Sequence, residues 1–340
     1  MGFEGPEWLI WMVTGECNLR CPYCYATHYQ SEQPLKLESL RGILREASSL
    51  GVEYINYTGG EPLMRCDMPE IIKETTELGI ETSLFTNLTL MSESIASKLS
   101  KLEVFLMTSL DGPRDVYEMV KGIGTWEKFL RGVQNLRKFN IPFHVNVTIS
   151  KFNHDRIGEA IRSAEGLGAE SISIIPSMAF GRALETGSFV GRKELLKSLT
   201  QAEEVAGELG IDVSVWCTPF LGSLGGFRNL RYTNCRGWKE LDLSPSGKVL
   251  LCDVMGIEVA DVLEDGILGS WLKLNTHPLY LRVRMMPEGC CGDEKCSGGC
   301  YARAYNYWGE LPSRDPLCPG VKLSATAASV PKFPLESPPE

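Results

Sequence analysis

The stretch Thr14-Gly15-Glu16-Cys17-Asn18-Leu19-Arg20-Cys21-Pro22-Tyr23-Cys24-Tyr25 places three cysteines in C-x3-C-x2-C spacing directly after the apolar run Trp8 to Val13. An apolar run ending in a polar, glycine-containing turn reads as a strand that delivers a loop. Three thiolates on so short a loop can hold three corners of a cubane iron–sulfur cluster. No fourth cysteine lies nearby, so one iron would remain open to a ligand. Spacing alone also allows a structural zinc site, with His28 joining Cys17, Cys21 and Cys24 as a Cys3His set.

From Trp8 to about Trp216 short β-branched or aromatic runs alternate with helical stretches, the pattern of a parallel βα sheet. The strands expected are 8–14, 53–58, 80–87, 103–110, 142–149 and 170–176. Helices are expected near 37–50, 67–79, 92–101, 125–139, 155–168 and 192–210, with Gly51, Gly79 and Gly168 where helix caps should fall. Six βα units are too few for a closed eight-stranded barrel and imply an open, partial one.

The period of two along each strand separates an apolar face from a polar one. On the fifth strand Phe143, Val145, Val147 and Ile149 oppose His144, Asn146 and Thr148. The other strands contribute Asn56 and Thr58, Ser83, Phe85 and Asn87, Ser109 and Asp111, and Ser173 and Ser177 to polar faces. Small closed barrels fill their interior with branched apolar side chains, so polar inner faces point to a wider lumen for a polar ligand. The chemically distinctive segments all follow strand ends, where α/β folds build their sites: Cys17 to Cys24, Gly59 to Pro62, Asn87, Ser109 to Gly112, and Asn153.

The chain has 340 residues, of which 43% are hydrophobic, enough for one large domain with a core and a smaller second one. No apolar run approaches the ~20 residues that span a bilayer, and residues 1–7 lack the basic and apolar regions of a signal peptide, so a cytoplasmic location is expected. Pro6 stands where a myristoylation signal wants Ser or Thr. The net charge of −9 argues against a broad nucleic-acid footprint. Twelve cysteines with no export signal read as metal or cluster ligands rather than disulfides. Three lie at 17–24 and seven between 235 and 318. Cys66 and Cys217 stand apart and are expected to be small buried hydrophobes.

C-N-L-R-C-P-Y-C followed about 35 residues later by Gly59-Gly60-Glu61-Pro62 resembles the radical S-adenosylmethionine (radical SAM) enzymes. The resemblance implies a partial (β/α)6 barrel with a [4Fe–4S] cluster on Cys17, Cys21 and Cys24, whose open iron is chelated by the amino and carboxylate groups of SAM. It implies that Gly59, Gly60 and Glu61 receive the amino group, that Asn87, Ser109 and Asp111 reach the ribose and methionine end, and that Tyr23 lies over the cluster or adenine. Asn87 or Asp111 could equally cap the turns that follow them. Related sequences often carry an Arg after strand four, where the nearest match here is Lys121. The implied chemistry is reductive cleavage of the sulfonium to a 5′-deoxyadenosyl radical that abstracts a substrate hydrogen, fed by a donor such as ferredoxin or flavodoxin. No general acid or base is identifiable.

After a Gly- and Pro-containing linker the pattern changes. Cys235-x11-Gly247-x4-Cys252, then Cys290-x5-Cys296-x3-Cys300 and a final Cys318, are similar to the SPASM extension of radical SAM maturases, with Pro287 where the pattern has a cysteine and an extra Cys291 that either takes that ligand role or is a bystander. The resemblance implies one auxiliary cluster on Cys235, Cys252 and Cys300 and another on Cys290, Cys296 and Cys318, each one cysteine short. A missing ligand can mean a non-cysteine ligand, an open iron, or a single cluster. A zinc ribbon is the alternative for this region. The expected organisation is a barrel at 1–216, a linker at 217–234, a cluster domain at 235–320 and a mobile tail at 321–340. The expected substrate is a peptide or protein side chain. A tetrapyrrole of a haem pathway is the second candidate, and a zinc-bound interaction module without enzymatic activity the third.

Overall fold

A computed structural model describes residues 5–235, 239–290 and 295–321. The expected Cys291 ligand and the tail beyond 321 therefore lie outside the described residues. The first six strands fall where the period-two runs place them: β1 (Trp8–Thr14), β2 (Tyr54–Gly59), β3 (Glu81–Phe85), β4 (Val104–Ser109), β5 (Phe143–Ile149) and β6 (Ser171–Pro176). Two short strands continue the series, β7 (Val213–Val215) and β8 (Leu230–Tyr232), and all eight run parallel in sequence order. β8 and a short helix at Leu221–Leu224 occupy the stretch expected as linker.

The helices between strands are α1 (Leu37–Ser49), α2 (Met68–Glu77), α3 (Glu93–Leu99), α4 (Arg114–Lys121), α5 (Thr125–Lys138), α6 (Ile157–Gly166), α7 (Arg182–Thr186), α8 (Arg192–Leu209) and α9 (Leu221–Leu224). They cover the outer face of the sheet. On β5 that face is Phe143, Val145, Val147 and Ile149, all in the core, as alternation requires. Leu9, Trp11 and Val13 of β1 and Ile55 and Tyr57 of β2 continue it. Its burial, at about 25 cal/mol per Å2 of apolar surface, is the main force holding helices to sheet.

The cysteine-rich region does not form a separate sheet. Its strand β9 (Glu240–Leu243) pairs parallel with β1, and β10 (Lys248–Leu250) and β11 (Glu258–Asp261) follow antiparallel, giving one sheet of eleven strands in the order β11-β10-β9-β1-β2-β3-β4-β5-β6-β7-β8. Glu240 and Asp242 register with Trp8 and Ile10 on the inner face, while Leu241 and Leu243 continue the apolar outer face beside Leu9 and Trp11. α10 (Val262–Thr276), α11 (Pro278–Val283) and α12 (Tyr301–Trp308) complete the described residues. None of the described helices is long and apolar enough to cross a membrane.

Candidate functional site

The cysteine loop leaves β1 and is clamped from two sides. From β2, Gly60 N donates to Thr14 O at 2.8 Å and Glu61 N to Glu16 O at 2.7 Å. The two backbones approach so closely that a Cβ on Gly60 would lie 2.1 Å from Glu16 O, and one on Gly59, at φ +131°, 2.3 Å from Thr14 O. The glycine pair is thus required by loop-to-loop packing as well as by any ligand. From the segment after β6, Arg182 donates from its backbone to Cys24 O at 3.0 Å and from Nη1 to Cys21 O at 3.1 Å. Thr186 and Ser188 both donate to Pro22 O. The loop carrying the three cysteines is therefore held by backbone and side-chain donors of the fold itself.

Cys17, Cys21 and Cys24 remain partly exposed. A tetrahedral zinc site holds its sulfurs about 3.8 Å apart, from Zn–S bonds of ~2.3 Å. Among the described residues, the one trio of potential ligands whose atoms all lie within 4.8 Å of each other is Asp242, Cys252 and Asp253. His28 is packed between Tyr29 and Phe180, each ring centroid 5.0 Å away. Burial raises the Cys21 thiol to about 11, with Lys121 pulling the other way.

Glu61 is fully buried, and its carboxylate is largely taken up by its own chain. Oε1 accepts from Leu63 N at 3.0 Å and Thr86 Oγ1 at 2.7 Å, and Oε2 from Asn87 N at 2.7 Å. Burial raises its pKa, and these three bonds oppose the rise. Of about four lone-pair positions on a carboxylate, three are used and one is left for an ammonium. Asn87 in turn holds Asn18 of the cysteine loop, Nδ2 to Oδ1 at 2.9 Å, while its own Oδ1 accepts from Thr89.

Tyr23, Ser109 and Asp111 come together around one residue. Lys121 Nζ donates to Tyr23 OH at 2.9 Å and Ser109 Oγ at 2.8 Å, and lies 3.4 Å from Asp111 Oδ2, while Tyr23 OH donates to Asp111 Oδ1 at 2.6 Å. Asp111 is 0% exposed and Lys121 6%. Burial pulls the Lys121 pKa down, but Asp111 and Cys21 more than offset it, so the ammonium stays charged. Lys121 sits on the unanticipated helix α4, where Tyr117, Val120 and Lys121 share the buried i, i+3, i+4 face. That spacing was the available signal for its importance.

On the inner face the polar positions bond to one another. Asn56 Nδ2 donates to Ser83 Oγ at 2.5 Å, Asn146 Nδ2 to Ser173 Oγ at 2.7 Å, and the His144 ring lies between Ser171 and Ser173 at 2.8 and 2.6 Å. Trp216 stacks on His144 at 5.4 Å, the planes within 7°. Burial lowers the His144 pKa to about 4, so the ring is neutral at neutral pH.

In the C-terminal region Cys235, Cys252 and Cys300 come from three segments. Cys300 caps α12, accepting from Arg303 N at 3.5 Å, and its own N–H donates to Asp315 Oδ2 at 2.9 Å. Arg303 and Asp315 form a buried ion pair of 2.7 Å, and Arg303 Nη2 also donates to Cys217 O at 2.6 Å. Cys217 was expected to be an isolated small hydrophobe. It stands instead partly buried at φ +51°, its backbone carbonyl accepting from Arg303. Cys66, expected buried, is exposed, because Arg65 takes the inward direction and donates to Val13 O and Leu35 O. Cys296 and Cys318 are buried and Cys290 partly exposed.

Residues 11–164 match the family model described as the Radical SAM superfamily. The chain is 28% identical to the PqqA peptide cyclase of Granulibacter bethesdensis, over 93% of this chain and 87% of that one. It is 27% identical to the AdoMet-dependent heme synthase of Methanosarcina barkeri, over 94% and 99% of the two chains. Among solved structures its fold is similar to Streptococcus suis SuiB bound to precursor peptide SuiA, at TM-score 0.73 and 16% identity over 93% and 76% of the chains. It is also similar to anSMEcpe with bound AdoMet and Kp18Cys peptide, at TM-score 0.73 and 17% identity over 93% and 94%.

Proposed function

Because the chain is a radical SAM enzyme with a C-terminal cysteine-rich domain, we propose that it oxidatively modifies a side chain of a peptide or protein substrate. A [4Fe–4S] cluster on Cys17, Cys21 and Cys24, with SAM on the fourth iron, supplies when bound the reductive cleavage that yields a hydrogen-abstracting 5′-deoxyadenosyl radical. The chain's own residues do the rest. The carbonyls of Gly59 and Gly60 and the free acceptor site of Glu61 receive the ammonium of SAM. Lys121 holds Ser109, Asp111 and Tyr23 in one orientation at the methionine and ribose end. The inner face, with Asn56, Ser83, His144 and Trp216, forms the polar floor of the substrate space and excludes bulk water from it.

The observation that carries the oxidative reading is the meeting of the two cysteine regions: Tyr29, in the segment after Cys24, donates its hydroxyl to the carbonyl of Asp253, next to Cys252, at 2.7 Å. A second redox site adjoining the first gives a substrate radical somewhere to leave its electron. An external one-electron donor such as ferredoxin or flavodoxin feeds the first site. The peptide reading is supported by the names of PqqA peptide cyclase and of SuiB bound to precursor peptide. A tetrapyrrole substrate is the second reading, supported by the end-to-end match to an AdoMet-dependent heme synthase.

Anaerobically reconstituted protein given dithionite and SAM should release 5′-deoxyadenosine. Adding a short peptide encoded beside the gene should then yield a product lighter by two hydrogens by mass spectrometry. Turnover of a propionate-bearing tetrapyrrole with the peptide left untouched decides for the second reading. No 5′-deoxyadenosine from cluster-replete protein refutes both.

A further inference from the structure

The auxiliary set Cys235, Cys252 and Cys300 lacks a fourth thiolate by sequence pattern, and three groups near it could complete it. Cys217 is one. Its backbone stands at φ +51° with the carbonyl held by Arg303 Nη2 at 2.6 Å. Asp253 is the second. Its carboxylate accepts from Cys252 Sγ at 3.7 Å, and so is already engaged.

Asp242 is the third, and it differs from both. It lies on the inner face of β9, 6% exposed, in the cavity lined by Cys235, Glu240, Leu251 and Tyr301. Its Oδ2 accepts from Asp253 N at 2.9 Å, which fixes the carboxylate, while Oδ1 is buried with no hydrogen-bond partner among the described residues. Its ligand oxygen is within 4.8 Å of the Cys252 sulfur. Glu240 Oε2 in the same cavity is likewise buried and unpartnered, and Arg284, the cation lining that cavity, is engaged by Asn275 and the Tyr280 ring and pairs with neither acid among the described residues. A buried carboxylate oxygen without a donor is costly unless it meets a cation or a proton.

We propose that Asp242 Oδ1 is the fourth ligand of the auxiliary cluster held by Cys235, Cys252 and Cys300. The assignment rests on the presence of auxiliary clusters in the proposed function. A carboxylate oxygen is a harder, more weakly donating ligand to iron than thiolate, so the iron it holds is the one that exchanges most readily and the cluster sits at a higher potential. Glu240, one strand position pair away on the same face, is left to hold a proton beside it.

The test compares reconstituted wild-type protein with Asp242→Asn, Asp242→Cys and Cys217→Ala, reading iron and sulfide per chain, low-temperature EPR and a redox titration. Asn keeps the size and the bond from Asp253 N, so circular dichroism should match wild type. Expected are loss of about one iron per chain in Asp242→Asn with a three-iron EPR signal after oxidation, full iron with a lower midpoint potential in Asp242→Cys, and wild-type iron in Cys217→Ala. Wild-type iron and EPR in Asp242→Asn, or iron loss in Cys217→Ala alone, overturns the assignment while leaving the auxiliary cluster in place. Wild-type protein that binds only the N-terminal cluster instead removes the reading on which the assignment stands.

Discussion

Tyr29 donates its hydroxyl to the backbone carbonyl of Asp253 at 2.7 Å, so the segment after Cys24 is tied to the residue that follows Cys252. Two cysteine-bearing loops 228 positions apart in the chain, as the numbers 24 and 252 give, are thereby joined. Such a junction fixes their separation, which electron transfer needs, without a covalent link.

Tyr29→Phe removes the donor and leaves the Asp253 carbonyl one bond short. An unsatisfied buried acceptor costs about 1–3 kcal/mol. We expect a lower urea midpoint of that order with full iron content. Release of 5′-deoxyadenosine should persist while product formation falls by a larger factor. Equal losses in both would show that the hydroxyl serves only the first site.

Lys121→Met deletes the cation from a buried pair. Breaking such a pair from one side costs about 3–5 kcal/mol because the partner charge is stranded. The double variant Lys121→Met with Asp111→Asn should recover much of that stability in a denaturant titration. It should not recover SAM binding by equilibrium dialysis, since Ser109, Tyr23 and position 111 no longer share their anchor.

Gly60→Ala introduces a methyl 2.1 Å from Glu16 O, a backbone atom that cannot swing away. The expected result is a protein that folds but assembles the N-terminal cluster poorly, with about four fewer irons per chain. Gly42→Ala is the contrast. It lies in α1 with nothing within 4 Å of its new methyl, so a gain of about 1 kcal/mol in helix stability is expected. Indistinguishable iron content in the two variants would refute the packing account of the glycine pair.

Much of this was legible in the chain. β1 to β6 stand within about one residue of their β-branched runs at all but the end of β3, because each run is bounded by glycines or polar caps and has a buried face of period two. α4 was not read, because Asp111-Gly112-Pro113 looks like a turn and the helix begins at the residue after it. β7 and β8 are three residues each, too short for a period to show. The joining of β9 to β1 is a pairing over more than two hundred residues that no local window contains. At the site the ligand cysteines announce themselves by spacing, whereas Lys121, Arg182 and Asp242 acquire meaning only from what folding places beside them.

His144 gives a pH signature with a definite sign. Its pKa falls from 6.5 to about 4 on folding because the ring is buried. Between those values the unfolded chain binds a proton that the native state does not. Stability is therefore full above pH 6.5 and declines as pH drops toward 4, by at most about 3 kcal/mol. His144→Gln should flatten that part of the urea midpoint profile. An unchanged slope would mean that the ring already accepts a proton in the fold.

Arg303 tests whether the auxiliary ligands depend on one buried ion pair. Its Nε and Nη2 grip the two oxygens of Asp315 at 2.9 and 2.7 Å, and the same Nη2 reaches Cys217 O. Asp315 in turn accepts from the N–H groups of Cys300 and Leu317, the residue before Cys318, so one carboxylate positions a cysteine of each auxiliary set. Arg303→Met strands Asp315 at a cost of about 3–5 kcal/mol. It should strip iron from the C-terminal region while 5′-deoxyadenosine formation continues. Lys at 303 keeps the charge but has no planar fork to span both oxygens and the carbonyl, so its iron content should fall between the two. Full auxiliary EPR signals in Arg303→Met would show that the cysteine loops hold their geometry without this pair, and that the metal itself organises them.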